Sequence, residues 1–168
     1  MKRRKLRQLL SSVWALPFWL AVSACYAENG ADNITLYFSA HIEPLKAGDN
    51  VVHANFKVHG VMVSASGEGP FHHATVVCQG GLLAIKGQYD YDGELCVIQT
   101  SSGDQLFGRW SSAGQLGQSG RTKMRLIDGT GAWSGVSGEG ESQRVVLRSA
   151  APGVSSGYEK GSIRWSRP

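Results

Sequence analysis

The 168-residue sequence has few cysteines, and it lacks both a thiol redox motif and an apolar run long enough to cross a membrane. Its three cysteines form no C-x-x-C pair, which excludes a thioredoxin-like redox centre. The longest mainly apolar stretch, residues 9–22, is shorter than the roughly 20 residues that a membrane-spanning helix needs. The sequence therefore predicts neither such a redox enzyme nor a helical membrane protein.

Helical periodicity is also missing after residue 27, where apolar residues recur with a period of two. Ile34, Leu36 and Phe38, for example, are expected on one face of a strand. Short turns rich in glycine, aspartate and serine separate eight to ten such runs. The pattern predicts one all-β domain over residues 28–168, a closed antiparallel eight-stranded barrel, with a sandwich as the alternative. The predicted strands are 34–42, 52–63, 71–78, 82–91, 95–100, 105–110, 122–126, 142–148 and 163–165.

Glycines mark the predicted turns and one predicted irregularity of the barrel. The apolar parity changes after Gly60, which indicates a β-bulge that bends the strand. The pairs Gly80–Gly81 and Asp92–Gly93 are expected to form turns between strands. Residues 112–120 and 151–160 are small and polar, so they are expected to form loops at the mouth of the barrel.

The first 27 residues have the pattern of a secretory signal peptide, which is expected to be helical. Five cations precede the apolar stretch, and small residues follow it up to Ala27, where cleavage is expected. Alternatively, residues 22–25 resemble a bacterial lipobox, in which Cys25 is lipidated and held at a membrane. We expect a periplasmic or secreted protein, with an envelope lipoprotein as the alternative. Membrane contact is expected only through the leader or a lipid on Cys25.

The charge of the chain changes when the leader is set apart. Five of the 17 lysines and arginines, and none of the 13 aspartates and glutamates, lie in residues 1–27. The remainder carries twelve cations against thirteen acids, so the sequence pI of about 9.1 reflects the leader. Without a basic surplus the domain is not expected to bind nucleic acid.

Cys78 and Cys96 remain after the leader, and in an oxidising compartment they are expected to form a disulfide. A disulfide that closes a loop of this length stabilises a fold by roughly 3 kcal/mol, mainly through the unfolded state. A metal site that uses these two cysteines is the less favoured alternative.

Five glycines lie within residues 128–141, DGTGAWSGVSGEGE. A phosphate-binding loop leads into a helix, whereas this run leads into the period-two strand 142–148, and it lacks the GxxxxGK motif. A G-x-S-x-G serine nucleophile is also missing from the sequence. The run is instead expected to form a hairpin in which an aromatic side chain covers glycines. Its members are Gly129, Gly131, Trp133, Gly135, Gly138 and Gly140.

These residues carry a resemblance to a known superfamily. Residues 128–140 resemble the GTG-x-aromatic-x-G-x-x-G-x-G hairpin of allene oxide cyclase-like and dirigent-like β-barrels. Residues 93–96 and 102–110 are similar to stretches of its exported bacterial branch, although Ser102 replaces the usual aspartate. The likeness covers about residues 70–167 and implies an eight-stranded barrel with a closed or narrow interior. It implies no single function, and no position matches a catalytic residue of the cyclases.

Histidines are the first candidates for metal ligands. His72 and His73 are adjacent, and neighbours on a strand point to opposite faces, so they are not expected to share a metal. His41, His53 and His59 belong to separate strand segments and would suit zinc if they converged. Isolated histidines are the favoured interpretation, and no metal or other cofactor is expected.

Carboxylates and aromatic residues supply the remaining candidates. Asp90, Asp92 and Glu94 are spaced by two, as in calcium loops, but a hairpin turn is the favoured interpretation. Arg109 is expected to point outwards into solvent. Six aromatic residues are expected to fill the core rather than contact a ligand: Trp110, Trp133, Trp165, Tyr37, Tyr89 and Tyr91.

We expect an exported barrel that binds a small apolar ligand or a protein partner, without catalysis evident in the sequence. An eight-stranded barrel leaves room for one small ligand. Two alternatives stay open: an envelope-associated interaction protein with a filled barrel, and a cyclase or isomerase that positions its substrate. The enzyme is less favoured, and it requires a buried ionisable group with a shifted pKa in the cavity. The dimers and trimers of the superfamily make an oligomer a further alternative.

Overall fold

The computed structural model describes residues 27–149 and 151–168 and, at Asp92, the backbone only. They form a closed antiparallel barrel in which each strand pairs with the next and the last pairs with the first, as the sequence predicts. The predicted signal peptide and Cys25 fall on residues 1–26, outside the described part of the chain. No helix among the described residues is long and apolar enough to cross a membrane. The strands are β1 (Glu28–Lys46), β2 (Val51–Ser64), β3 (Ala74–Ile85), β4 (Gln88–Gln99), β5 (Gln105–Gln115), β6 (Gly120–Gly129), β7 (Ser137–Leu147) and β8 (Val154–Arg167).

The predicted turn at Gly80–Gly81 is wrong, because both glycines lie inside β3. The chain reverses at Lys86–Gly87, where both residues have positive φ, as a two-residue type I′ hairpin requires. The predicted strand 82–91 therefore covers the end of β3, the Lys86–Gly87 turn and the start of β4. A glycine is favoured at position 80 because an added Cβ would lie 3.1 Å from the Cα of Glu94 on β4.

The β-bulge predicted at Gly60 is also wrong. The register of β2 with both neighbours is continuous, and its inward face runs on through Gly60 to the buried Met62. Val61 lies on the outer face, so the apolar parity of the sequence was misleading here. A Cβ on Gly60 would lie 2.6 Å from Cδ1 of Leu36, which explains the glycine by close packing.

Both predicted mouth loops are shorter than expected. Strand β5 extends to Gln115 and strand β6 begins at Gly120, so only residues 116–119 connect them. Strand β8 begins at Val154, which leaves most of residues 151–160 inside a strand. These strands were not predicted because serine and glycine, which are typical of loops, occupy many of their positions.

The glycine-rich segment 128–140 joins β6 to β7 through a 3₁₀ turn, Gly131–Trp133. The Asp128 carboxylate accepts hydrogen bonds from the backbone N–H groups of Gly135 (2.9 Å) and Gly129 (2.7 Å). These two bonds lower the pKa of Asp128. The Trp133 ring packs edge-on against Trp165 with the ring centroids 4.8 Å apart. This segment closes one end of the barrel.

The interior of the barrel divides into two parts. One end holds a continuous cluster of buried apolar side chains, and we call it the filled end. The other end holds a smaller cluster around Tyr89 and Tyr91 beside a cavity, and we call it the open end. The buried cluster that occupies the filled end and reaches the barrel centre comprises Ile34, Leu36, Met62, Phe71, Ala74, Val76, Cys78, Cys96, Ile98, Leu106, Trp110, Met124, Leu126, Trp133, Val136 and Ile163.

Candidate functional site

The cavity at the open end is the candidate site. Its volume is about 280 Å³, and most of its wall is apolar. Phe38 and Ala40 of β1 and Phe56 of β2 form part of this wall. The turn around Gly117, between β5 and β6, lies at its rim, in one of the two segments expected at the mouth. An apolar chamber with a few polar groups is the usual form of a small-molecule site.

Glu94 reaches the cavity because β4 contains a β-bulge. Alternation from Tyr89 and Tyr91 would turn Glu94 outwards, but the register shifts by one residue between Asp92 and Glu94. Gly93 has a φ of +116° there, a conformation that residues with a side chain rarely adopt. The Glu94 side chain is consequently buried, with 5% of its surface exposed.

A buried polar network lies on the facing strands. The Nε of Arg144 on β7 donates to Oε1 of Glu159 on β8 at 2.7 Å, and its Nη2 donates to the Tyr91 hydroxyl at 2.6 Å. Two hydroxyl groups complete the shell of Glu159: Thr122 donates to Oε1 (3.2 Å) and Ser142 donates to Oε2 (2.9 Å). The Glu159 carboxylate is thus paired and hydrogen-bonded.

Burial and charge set the protonation of these groups. Burial raises the pKa of Glu94 to about 7. The Arg144 guanidinium opposes this shift, the Glu159 carboxylate adds to it, and a hydrogen bond with Tyr91 opposes it. Burial also raises the pKa of Tyr91, so its hydroxyl stays protonated. Burial by itself lowers the pKa of Arg144, but Glu159 and Tyr91 raise it overall, and the guanidinium stays charged. Glu94 is therefore the group of this site that can exchange a proton near neutral pH.

The predicted disulfide is present and borders the cavity. Cys78 on β3 pairs directly with Cys96 on β4, and the two sulfurs are bonded. Both sulfur atoms lie within 4.8 Å of each other and of a Glu94 carboxylate oxygen. Because the sulfurs are joined to each other, this group of three does not offer free thiolates to a metal.

One buried donor at the site has no partner. The Trp110 side chain is 2% exposed and lines the cavity, and its Nε1 has no acceptor among the described residues. Trp110 is the cross-strand neighbour of Glu94 in the β4–β5 register. Two polar groups on adjacent strands therefore lie at the inner end of the cavity.

The histidines do not converge. His53 and His59 lie exposed on the outer face of β2, and His41 is exposed on β1 with Nε2 3.9 Å from Glu43 Oε1. His72 and His73 precede β3 rather than lying within it, and their ring centroids are 3.9 Å apart. The zinc alternative from three converging imidazoles is therefore wrong.

The calcium alternative fails for a related reason. Asp90 is exposed and Glu94 is buried, so these carboxylates lie on opposite faces of β4. The favoured hairpin turn is wrong as well, because residues 90–94 lie within β4. Arg109 is exposed on the outer face of β5, as expected.

The predicted core aromatics divide among three places. Trp133 and Trp165 pack at the filled end, as expected of core residues. Tyr89 and Tyr91 line the cavity, and Trp110 separates the cavity from the filled end. Tyr37 is 57% exposed on the outer surface, so the prediction that it fills the core is wrong.

Sequence reasoning singled out Glu94, Tyr91 and Trp110 but missed the ion pair of the site, Arg144 with Glu159. In β7 the apolar Val145 and Leu147 alternate with Arg144, a pattern that favours an arginine on the outer face. In the structure, however, Leu147 is 51% exposed and Arg144 faces inwards. Glu159 fell in a segment expected to be a loop. A usable signal was Gly93 directly before an acid, since glycine in a strand often marks a bulge.

Comparisons with known proteins inform the fold. The structure matches that of a pterocarpan synthase dirigent protein with a TM-score of 0.50, over 93% of this chain and 97% of that chain. The two sequences are 9% identical, so the likeness concerns the fold alone. No protein-family model and no curated protein matches the sequence. The chain has a dirigent-like eight-stranded barrel fold.

Proposed function

We propose that the protein is a ligand-binding barrel that holds one small, mainly apolar molecule in the cavity at the open end. The observation that carries this proposal is an apolar chamber of about 280 Å³ whose inner wall bears a compact set of buried polar groups. The apolar wall supplies affinity, and the polar groups fix the orientation of the ligand. The dirigent-like fold supports a module that binds or orients a small molecule.

A second candidate function is acid–base catalysis on a molecule held in the same place. The buried Glu94, whose pKa is about 7, favours it because such a group can give or take a proton at neutral pH. The enzyme alternative required this kind of group. Glu94→Gln would then abolish turnover while binding persists, whereas a pure binding module has no turnover to lose.

The location of the protein is part of the proposal. The leader-like residues 1–27 and the Cys78–Cys96 disulfide support an exported protein of the bacterial branch, free or lipid-anchored through Cys25. A protein partner or an oligomer would use the outer surface, where Tyr37 and Val61 pair across β1 and β2 and are both exposed. The interaction-protein alternative requires a barrel that is filled throughout, whereas this barrel is filled at one end only and holds a cavity at the other.

The binding proposal is tested by narrowing the cavity. Ala40 is buried on the cavity wall, and its neighbour Ser39 is exposed on the outer face of the same strand. Prodan, an uncharged fluorescent naphthyl ketone, is expected to bind the native protein with a blue-shifted emission. Ala40→Phe is expected to weaken this binding at least about tenfold, and Ser39→Phe is expected to leave it unchanged. Equal binding by both variants would overturn the proposal.

A further inference from the structure

We propose that the cavity selects an uncharged molecule that presents an acceptor oxygen, such as a carbonyl, to Trp110 and Glu94, and that it rejects carboxylates. This inference rests on the proposed function, because it names the ligand class of the same cavity. It follows from the charges and the hydrogen-bonding groups of the cavity wall.

The charged side chains of the cavity wall disfavour an anionic ligand. Arg144 is the one cation among the described residues that line the cavity, and two carboxylates, Glu94 and Glu159, line it too. The guanidinium already donates to Glu159 and Tyr91. Arg144 and Glu159 already neutralise each other as an ion pair, so a ligand carboxylate would be a buried charge without a counter-ion even when Glu94 is neutral. An unpaired buried charge is costly.

The hydrogen-bond inventory identifies what the ligand supplies. The Nε1–H of Trp110 is buried without an acceptor, and a buried donor without a partner is unfavourable. The benzo edge of the indole is packed over Gly108, where an added Cβ would collide with it, and Nε1 belongs to the opposite edge. An acceptor oxygen on the ligand would receive a hydrogen bond from this N–H and so satisfy it.

Glu94 reinforces the same preference. It is opposite Trp110 in the β4–β5 register, so both side chains can approach one ligand oxygen. In its neutral form the Glu94 carboxyl is a second donor. A ligand ammonium group would pair with ionised Glu94 but would leave the Trp110 N–H without an acceptor, so the paired donors favour a carbonyl over an amine.

Four naphthalenes with one ring skeleton test the proposal. These probes are 2-acetylnaphthalene, 2-ethylnaphthalene, 2-naphthoate and 2-(aminomethyl)naphthalene, each titrated into the full chain at pH 6 by calorimetry. The ketone is expected to bind about five- to tenfold more tightly than the ethyl compound, since one net hydrogen bond has that effect. The naphthoate is expected to bind more weakly than the ethyl compound.

Variants locate the effect at the two donors. Trp110→Phe is expected to reduce ketone affinity to that of the ethyl compound while affinity for the ethyl compound stays within about twofold. Trp165→Phe at the filled end is the matched control and is expected to keep the ketone preference. Should Trp110→Phe fail to fold, Glu94→Met, which lacks the donor, is expected to lose part of the preference that Glu94→Gln retains.

The outcomes separate the two proposals. Equal affinity for ketone and ethyl compound, or tightest binding of the naphthoate or the amine, would overturn the ligand class while leaving a binding cavity. Failure of prodan and of all four naphthalenes to bind would overturn the proposed function itself. If Trp110→Phe keeps the preference for the ketone, the proposal that Trp110 donates a hydrogen bond to the ligand is overturned.

Discussion

The two ends of the barrel differ in what their connecting segments contribute. At the filled end, segments 65–73 and 130–136 are long enough to fold Phe71, Trp133 and Val136 into the interior. At the open end, strands β3 and β4 are joined by only Lys86–Gly87. One barrel wall thus encloses a packed core at one end and a cavity at the other.

The two ends also differ in the charged groups that they bury. Described side chains at the filled end pack on one another without a buried ion pair, whereas the open end buries Arg144 with Glu159. Buried charges require partners, and the network around Glu159 supplies them. Glu94 stands apart, since burial has raised its pKa to about 7 rather than leaving it ionised.

The sharpest test of this comparison removes one phenylalanine from each end. Phe71 is fully buried in the filled end, and Phe56 is half-buried against Tyr91 at the cavity. Phe71→Ala is expected to lower the free energy of unfolding by about 4 kcal/mol, as for other buried phenylalanines. Phe56→Ala is expected to cost about 1 kcal/mol, since it enlarges a cavity that already exists. Urea denaturation measures both, and equal losses would contradict the division of the interior.

The second test uses pH. The pKa of Glu94 is about 7 in the folded protein, against an ordinary value of 4.5, so between these pH values the folded state binds the additional proton. The contribution of Glu94 to stability is therefore fully present below about pH 4.5, is lost as the pH rises to about 7, and changes no further above that pH. The decrease attributable to Glu94 is about 3 kcal/mol.

Glu94→Gln is expected to remove this decrease and to make the protein more stable than the native chain at pH 8. Glu139→Gln, on an exposed glutamate of β7, is the matched control and is expected to keep the native pH profile. Denaturation midpoints measured from pH 4 to pH 8 give the comparison. A native-like profile for Glu94→Gln would show that the open end does not hold a neutral acid.

The smallest expected effect comes from the bulge that turns Glu94 into the cavity at the open end. The backbone at Gly93 has a φ of +116°, which is strained for alanine, and an added Cβ would lie 2.7 Å from Arg109 Nη2. Gly93→Ala is therefore expected to lower the free energy of unfolding by about 2 kcal/mol. Gly103→Ala, at positive φ in an open turn, is expected to cost about 1 kcal/mol. Only Gly93→Ala is expected to change the titration of Glu94, and identical behaviour of both variants would disprove the role of the bulge.

Period-two alternation predicted an all-β antiparallel domain, because each strand buries one face. The closed barrel was favoured over a sandwich with support from the superfamily resemblance, and the structure confirms it. The Cys78–Cys96 disulfide followed from cysteine number and compartment. Individual strand ends were harder, because Gly80–Gly81 has the composition of a turn but lies where β3 passes close to Glu94. Local composition does not reveal a close approach made by a different strand.

The site was beyond the sequence for a more specific reason. One inserted residue reverses the faces of a strand, so Glu94 can be placed inside only when the bulge at Gly93 is known. Arg144 and Glu159 are ordinary surface residue types, and they become a buried pair only because β7 and β8 pair in this register. Such pairs depend on long-range register, which alternation within one strand does not encode.

The placement of one neutral acid, Glu94, in the mainly apolar chamber at the open end depends on the β-bulge at Gly93. Its most direct test is the titration of the Glu94 side-chain carboxyl carbon by NMR in the full chain, assigned with Glu94→Gln. A midpoint of about 7 is expected. A midpoint near 4.5, the ordinary value of a glutamic acid, would contradict it.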